Sequence, residues 1–271
     1  VQHIHFRSQF APIYHPHRAA TAGTAINGKK RHNHVHHHDL AGSDEARGTR
    51  MIDWNGIDTV LLDMDGTLLD LHFDNYFWTQ HLPRVYAEKH QISEEESSAR
   101  LHDRLSVDQG TLAWYSLDHW SQQLDIDIPA LKLELQHLIS VRPYAIEFLT
   151  QLHASDRDVV MVTNAHRKTL DIKMDRVDIT HWFDRVVVSH DLQAPKEEQA
   201  FWHKLQDLHP FEPDRTLLID DTERVLESAA HYGIAHLLTL LQPDSKRQKR
   251  IDTRFPGIHH FDEIMPGTTS L

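Results

Sequence analysis

Two carboxylates separated by one residue stand in Asp63-Met64-Asp65-Gly66-Thr67, directly after the apolar run Val60-Leu61-Leu62. Placed just past a strand, Asp63 and Asp65 can face a common ligand while the chain turns at Gly66. An Asp-Gly pair is by itself a common turn, but a turn explains neither the first Asp nor the apolar lead-in. Two more apolar runs end in reactive groups. Val159–Val162 ends in Thr163-Asn164, a hydroxyl and an amide that alone would read as a turn or helix cap. Thr216–Ile219 ends in Asp220-Asp221, and burying such adjacent acids is costly unless a cation or protons intervene. Lys196, after Pro195, adds one cation that alone would read as a solvated surface residue. Together these groups meet the needs of Mg²⁺-dependent phosphoryl transfer. Hard oxygen ligands suit Mg²⁺, and the metal relieves repulsion between an anionic nucleophile and a phosphate.

The elements that must hold these groups follow from periodicity. Thr59–Leu62, Val159–Val162, Val186–Val188 and Thr216–Ile219 read as buried strands, with Ala235–Leu238 as a last candidate. Helix candidates alternate with them at Tyr144–His153, His166–Val177, Lys196–Leu208 and Thr222–Tyr232. This rhythm predicts an α/β fold, a doubly wound parallel sheet covered on both faces. Its ligand site should lie beyond the carboxyl ends of the strands, at the topological switch point. Residues 72–141 are helical in character instead, with aromatic and aliphatic residues at three- and four-residue spacing through Phe73–Tyr86, Leu112–Leu124 and Leu131–Ile139. Ser93 with Glu96 three residues later resembles a capped start, and Pro129 suits a first helical turn.

Composition limits the function classes. The 271 residues carry 39% hydrophobic side chains, enough for one sizeable core, and no stretch is apolar enough to span a membrane. The absence of Cys leaves no thiolate chemistry or Cys-based metal site and fits a reducing, cytoplasmic setting. A net charge of -12 argues against broad nucleic-acid binding. The 25 His are unevenly spread: residues 1–50 hold 9 of them, with 7 basic and 3 acidic residues. Residues 32–38, His-Asn-His-Val-His-His-His, form a low-complexity patch able to chelate a transition metal. Residues 1–50 are expected to be a disordered leader. Because Met51 directly precedes the first organised stretch, they are further expected to be upstream-derived rather than native. The other 221 residues hold 21 basic and 37 acidic residues, so the organised part is strongly acidic.

The segment Val60-Leu61-Leu62-Asp63-Met64-Asp65-Gly66-Thr67-Leu68-Leu69-Asp70 resembles the first signature of the haloacid dehalogenase-like hydrolase superfamily. Thr163, Lys196 and Asp220-Asp221 match its second, third and fourth motifs in order, and the resemblance covers residues 57–240. Within it, the chain looks most similar to the bacterial GMP/IMP nucleotidases, through Leu71–Trp78, Thr163–His166, Pro195–Gln199 followed by Phe201-Trp202-His203, and Ile219–Glu223. Val225 departs from the broad pattern, where many members carry another acid, which leaves open which Asp of motif four touches the metal.

The resemblance implies a Rossmann-like hydrolase core over 51–71 and 142–271, with a helical cap over 72–141. It implies Asp63 as the nucleophile, Asp65 as the general acid and base, and Lys196 as the cation neutralising Asp63 and the phosphate. Thr163 and Asn164 would contact the phosphate. Asp63, the Asp65 carbonyl, Asp220 and Asp221 would hold Mg²⁺. Asp74, Asn75 and Asp118 are the polar candidates for reading base or ribose. The aromatics Phe73, Tyr76, Phe77, Trp78, Trp114, Tyr115 and Trp120 read mainly as cap core, with one or two available to stack on a purine. The function implied is hydrolysis of purine nucleoside monophosphates. Alternatives are a sugar- or small-metabolite phosphatase, a phosphomutase, a catalytically idle interaction protein and a His-rich metal-binding module. The partner expected is a small phosphomonoester, and the oligomeric state is left open.

Overall fold

The computed structural model describes residues 52–267. The His-rich patch, the proposed start at Met51 and the leader expected over 1–50 lie outside the described residues. Six strands form one parallel sheet: β1 (Thr59–Leu62), β2 (Asp158–Thr163), β3 (Arg185–Val188), β4 (Thr216–Ile219), β5 (His236–Leu240) and β6 (Gly257–Ile258). Their spatial order is β3-β2-β1-β4-β5-β6, and every neighbouring pair runs parallel. The chain winds outward from β1 through β2 to β3, then returns to β4 on the other side of β1. The switch point therefore falls between β1 and β4, the position beyond whose strand ends such sheets bind their ligands.

Both faces of the sheet are covered, which is why the strands read as continuous apolar runs. On one face Leu61, Val160, Val162, Val187 and Leu218 pack with Phe201, Trp202 and Leu205 of α9 (Gln199–Leu208) and Leu226 and Ala229 of α10 (Glu223–Tyr232). The opposite-parity residues Val60, Leu62, Val159, Met161, Leu217 and Ile219 are equally buried. Each such side chain contributes roughly 1.5–3 kcal/mol relative to exposure. Trp202 Nε1 donates to Ser228 Oγ at 2.8 Å, so the largest side chain on that face is also polar-satisfied.

Between β1 and β2 run six helices: α1 (His72–Tyr76), α2 (Leu82–His90), α3 (Glu94–Ser106), α4 (Leu112–Tyr115), α5 (Leu117–Leu124) and α6 (Ile128–Glu134). A π-helical turn, Phe77–His81, joins α1 to α2. Ser93 Oγ accepts from the Glu96 amide at 3.1 Å, the cap anticipated for α3. The Leu112–Leu124 stretch is two helices rather than one. Ser116 adopts extended backbone, and its hydroxyl accepts from His119 N at 3.2 Å to start α5. Likewise Leu131–Ile139 divides, because α6 ends at Glu134 and a 3₁₀ turn follows over Gln136–Leu138. After this insertion come α7 (Ala145–His153) and α8 (Arg167–Val177). No helix among the described residues is long and apolar enough to cross a membrane.

Candidate active site

Strand register builds the site. Leu62 lies beside Ile219, so the next residue of each strand, Asp63 and Asp220, emerges at the same level. The Asp63 amide donates to the Ile219 carbonyl at 3.0 Å, which carries the pairing one residue further. On the other side Leu62 pairs with Met161, bringing the Thr163 end of β2 to the same edge.

Lys196 binds these ends together from the turn before α9. Its Nζ donates to Asp63 Oδ1 at 2.5 Å, Asp220 Oδ2 at 2.7 Å and the Val162 carbonyl at 3.1 Å. All three ammonium hydrogens are used, and the residue is 1% exposed. Burial alone would lower its pKa, but Asp220 and Asp63 reverse that and hold the ammonium charged. Thus Lys196 is the organising cation, not a solvated surface residue.

Asp221 completes an acidic trio. Its backbone carbonyl accepts from Arg250 Nη1 at 2.6 Å, while its carboxylate lies 3.6 Å from Arg250 Nη2. Gly66 has φ +81°, and a Cβ there would sit 2.6 Å from Asp221 Cγ. Only glycine fits, because both the left-handed turn and the closeness of the Asp221 carboxylate exclude a side chain. Oxygens of Asp63, Asp220 and Asp221 all lie within 4.8 Å of one another. Burial is the main reason their protons are held tightly. It pushes Asp63 up to about 8, against the pull of Lys196, and Asp220 and Asp221 to about 6.

Three buried carboxylates thus face one fully engaged lysine and one arginine that is partly solvated. The acid excess, made wholly of hard oxygen donors, fits a divalent cation such as Mg²⁺. Asp63, Asp220 and Asp221 would supply the side-chain ligands.

The Asp65 side chain turns elsewhere. Its Oδ1 accepts from Lys173 Nζ of α8 at 2.5 Å. Burial raises its pKa, with Lys173 opposing. Thr163 Oγ1 accepts from Ala165 N at 3.0 Å and keeps its own hydrogen to donate. Asn164 Oδ1 accepts from Lys196 N at 3.0 Å, and its Nδ2 donates to Glu197 Oε2 at 2.9 Å. Glu197 Oε1 in turn accepts from Tyr115 of the insertion at 2.6 Å.

The three polar candidates for reading a base already have protein partners. Asp74 lies between two buried lysines, Asn75 Nδ2 donates to Asp244 Oδ2 at 2.7 Å, and Asp118 pairs with Lys168 at 2.5 Å. Of the insertion's aromatics, Phe73, Phe77 and Trp120 are buried, while Tyr76, Trp78, Trp114 and Tyr115 are half-buried. Lys173, Lys132, Arg250 and Glu197 escaped sequence reasoning as functional groups. A signal existed for two of them. Lys173 shares the buried face of α8 with Leu170, and Lys132 falls four residues after buried Ile128, so both sit where an apolar stripe predicts a hydrophobe.

The family model described as haloacid dehalogenase-like hydrolase matches residues 60–239. The chain is 37% identical over 215 residues to the GMP/IMP nucleotidase YrfG of Escherichia coli (strain K12), covering 79% of this chain and 97% of that protein. The same figures hold for YrfG of Shigella flexneri. Among solved structures, a HAD phosphatase from Thermococcus onnurineus superposes with a TM-score of 0.65 at 18% identity, covering 77% of this chain and 96% of that one. A putative beta-phosphoglucomutase from Thermotoga maritima gives 0.56 at 18%, with 77% and 97% covered. These structural likenesses speak to the fold. The family model over residues 60–239 and the identity shared along nearly the whole of YrfG place the chain in the haloacid dehalogenase-like hydrolase family, as a phosphoric monoester hydrolase.

Proposed function

We propose that the protein is a Mg²⁺-dependent 5′-nucleotidase that hydrolyses GMP and IMP to the nucleoside and inorganic phosphate. The observation that carries the substrate class is the 37% identity spanning 97% of a GMP/IMP nucleotidase. The chemistry is supported by the Asp63–Lys196–Asp220–Asp221 cluster.

In this reading Asp63 attacks phosphorus through a carboxylate oxygen, and the bond from phosphorus to the nucleoside O5′ breaks. Asp65 gives its proton to that oxygen as it leaves. Asp63 is then an aspartyl-phosphate. Asp65, now ionised, takes a proton from water as the water oxygen attacks phosphorus, and the P–O bond to Asp63 breaks to return the carboxylate. Lys196 holds Asp63 in place and offsets charge that builds on the phosphoryl oxygens. Thr163, through its remaining O–H, and Asn164 orient the phosphate. Asp63, Asp220, Asp221 and the Asp65 carbonyl would hold Mg²⁺, which would supply charge neutralisation between nucleophile and phosphate. Residues 72–141 serve as the cap over 51–71 and 142–271, excluding water and contacting the leaving nucleoside. The absence of Cys agrees with a cytoplasmic setting.

The test is a phosphate-release screen over GMP, IMP, AMP, pyrimidine monophosphates and sugar phosphates, run with Mg²⁺ and with EDTA. Preference for GMP and IMP with loss in EDTA is expected. A flat or sugar-preferring profile overturns the nucleotidase reading, and transfer of phosphate to a second sugar hydroxyl rather than water would make the protein a phosphomutase.

A further inference from the structure

A second group of charges lies apart from the acid trio. Lys173 Nζ donates to Asp65 Oδ1 at 2.5 Å and to Asp74 Oδ2 at 2.6 Å, and Lys132 Nζ donates to Asp74 Oδ1 at 2.7 Å. The four side chains form one unbranched chain, Lys132–Asp74–Lys173–Asp65. It crosses from the insertion, through α6 and α1, to α8 and the loop after β1. Both lysines are 1% exposed. The Lys132 ammonium also stands 4.8 Å from the Phe73 and Phe77 ring centroids and 5.5 Å from that of Trp78. Apolar residues would fill these two helix positions with less desolvation, since replacing a buried ionic group by hydrophobes is often neutral or stabilising. Packing therefore does not explain the lysines. The open end of the chain does, because it finishes on Asp65.

We propose that Lys173 is a positioning residue for Asp65, and that Asp74 and Lys132 hold Lys173 in place. The proposal rests on the reading of Asp65 as general acid and base. An aspartate carboxylate is free to rotate about its terminal bond. Lys173 engages Oδ1 and so leaves Oδ2 as the oxygen presented to the leaving group. Lys173 is itself a flexible side chain, and Asp74 supplies its second anchor. The other oxygen of Asp74 is taken by Lys132, so Asp74 cannot turn away without breaking a buried pair. Two of the three supports belong to the insertion. Orientation of the acid is thereby coupled to seating of the insertion against α8, and Asp65 is held ready only when residues 72–141 are in place.

Leaving-group dependence provides the test, because kcat/KM reports steps through phosphoryl transfer to Asp63. A nucleoside or sugar O5′ or O6 alkoxide needs a proton to leave, whereas 4-nitrophenolate does not. Lys173→Met, Asp74→Asn and, as reference, Asp65→Asn would be assayed on 4-nitrophenyl phosphate and on whichever nucleoside or sugar monophosphate the wild type turns over fastest. Thermal unfolding of each variant is followed in parallel. Lys173→Met is expected to lower kcat/KM for the alkyl ester at least about tenfold, with less than about threefold loss on the aryl ester. Asp74→Asn should show the same selectivity to a smaller degree. Equal losses on both esters, or no loss in a folded Lys173→Met while Asp65→Asn is selective, would overturn the proposal. Should Lys173→Met fail to fold, Asp74→Asn decides by the same contrast. A non-selective Asp65→Asn would remove the acid role and with it the positioning role, whereas a different preferred substrate leaves this comparison intact.

Discussion

Two buried charge clusters lie close together in sequence, one starting at Asp63 and the other ending at Asp65, yet they are built on opposite rules. The first gathers Asp63, Asp220 and Asp221 around Lys196, with Arg250 only partly buried beside Asp221. It has an excess of acid, and burial pushes the Asp63 proton affinity to about 8. The second alternates Lys132, Asp74, Lys173 and Asp65 and is neutral when both carboxylates are ionised. Burial alone would raise Asp74, but its two lysines overcome that and hold it below the usual carboxylate range. A cluster with excess acid is poised to accept a cation. A balanced one stabilises a single arrangement of its members. Strand ends suit the former, because parallel register delivers like groups to one edge. A helix-to-insertion contact suits the latter, because opposite charges from separate elements can meet there.

The difference predicts contrasting responses to substitution and pH. The largest effect is expected for Asp63→Asn, which should lower kcat by about 10³-fold or more and abolish trapping of an acyl-phosphate on rapid acid quench. The same change removes one of three like charges, so the metal-free variant should unfold at a higher temperature than wild type at pH 8. Retained turnover would break the assignment of this cluster as the reacting one.

Next in size is Lys132→Met, which unbalances the neutral chain. Denaturant unfolding should show a loss of about 3 kcal/mol, as for removal of one partner of a buried pair. The double variant Lys132→Met/Asp74→Asn restores neutrality and should recover part of that loss. If the double variant is no more stable than Lys132→Met alone, charge balance is not what holds this region together.

The smallest effect sharpens the contrast through pH. In the folded, metal-free protein Asp63 is raised to about 8 and Asp220 and Asp221 to about 6, above their unfolded values of about 4. Raised carboxyl groups contribute most stability when protonated, and that contribution is lost as pH climbs from about 4 through 8. Mg²⁺ should compensate most where the loss is greatest. Its effect on the unfolding midpoint, read by calorimetry, should be a few degrees larger at pH 8 than at pH 5. An equal shift at both pH values would show that the ion binds away from these acids.

Much of the fold was legible because its signals are local. β1 to β4 were read from apolar runs, and the reactive groups of the acid trio stand at the ends of those runs. The reading of the helices was coarser than the structure. Ser116 and the end of α6 at Glu134 interrupt periodic stretches through backbone geometry that residue spacing does not encode. The two-residue strand β6 escaped because Gly257-Ile258 has no periodicity and forms only where β5 offers an edge. Arg250, in a segment without regular structure, reaches Asp221 across 29 residues.

Sequence alone determined the chemistry of the strand ends: which residues follow each buried run, in which order, and that acids outnumber bases there. These are properties of consecutive residues and their period. Only tertiary structure decided that Lys196 is saturated by three acceptors from three strand ends, that Gly66 lies against Asp221, and that Asp65 faces Lys173. Each of those facts depends on elements more than 20 residues apart meeting at hydrogen-bond or van der Waals distance, and no one-dimensional pattern specifies such a meeting.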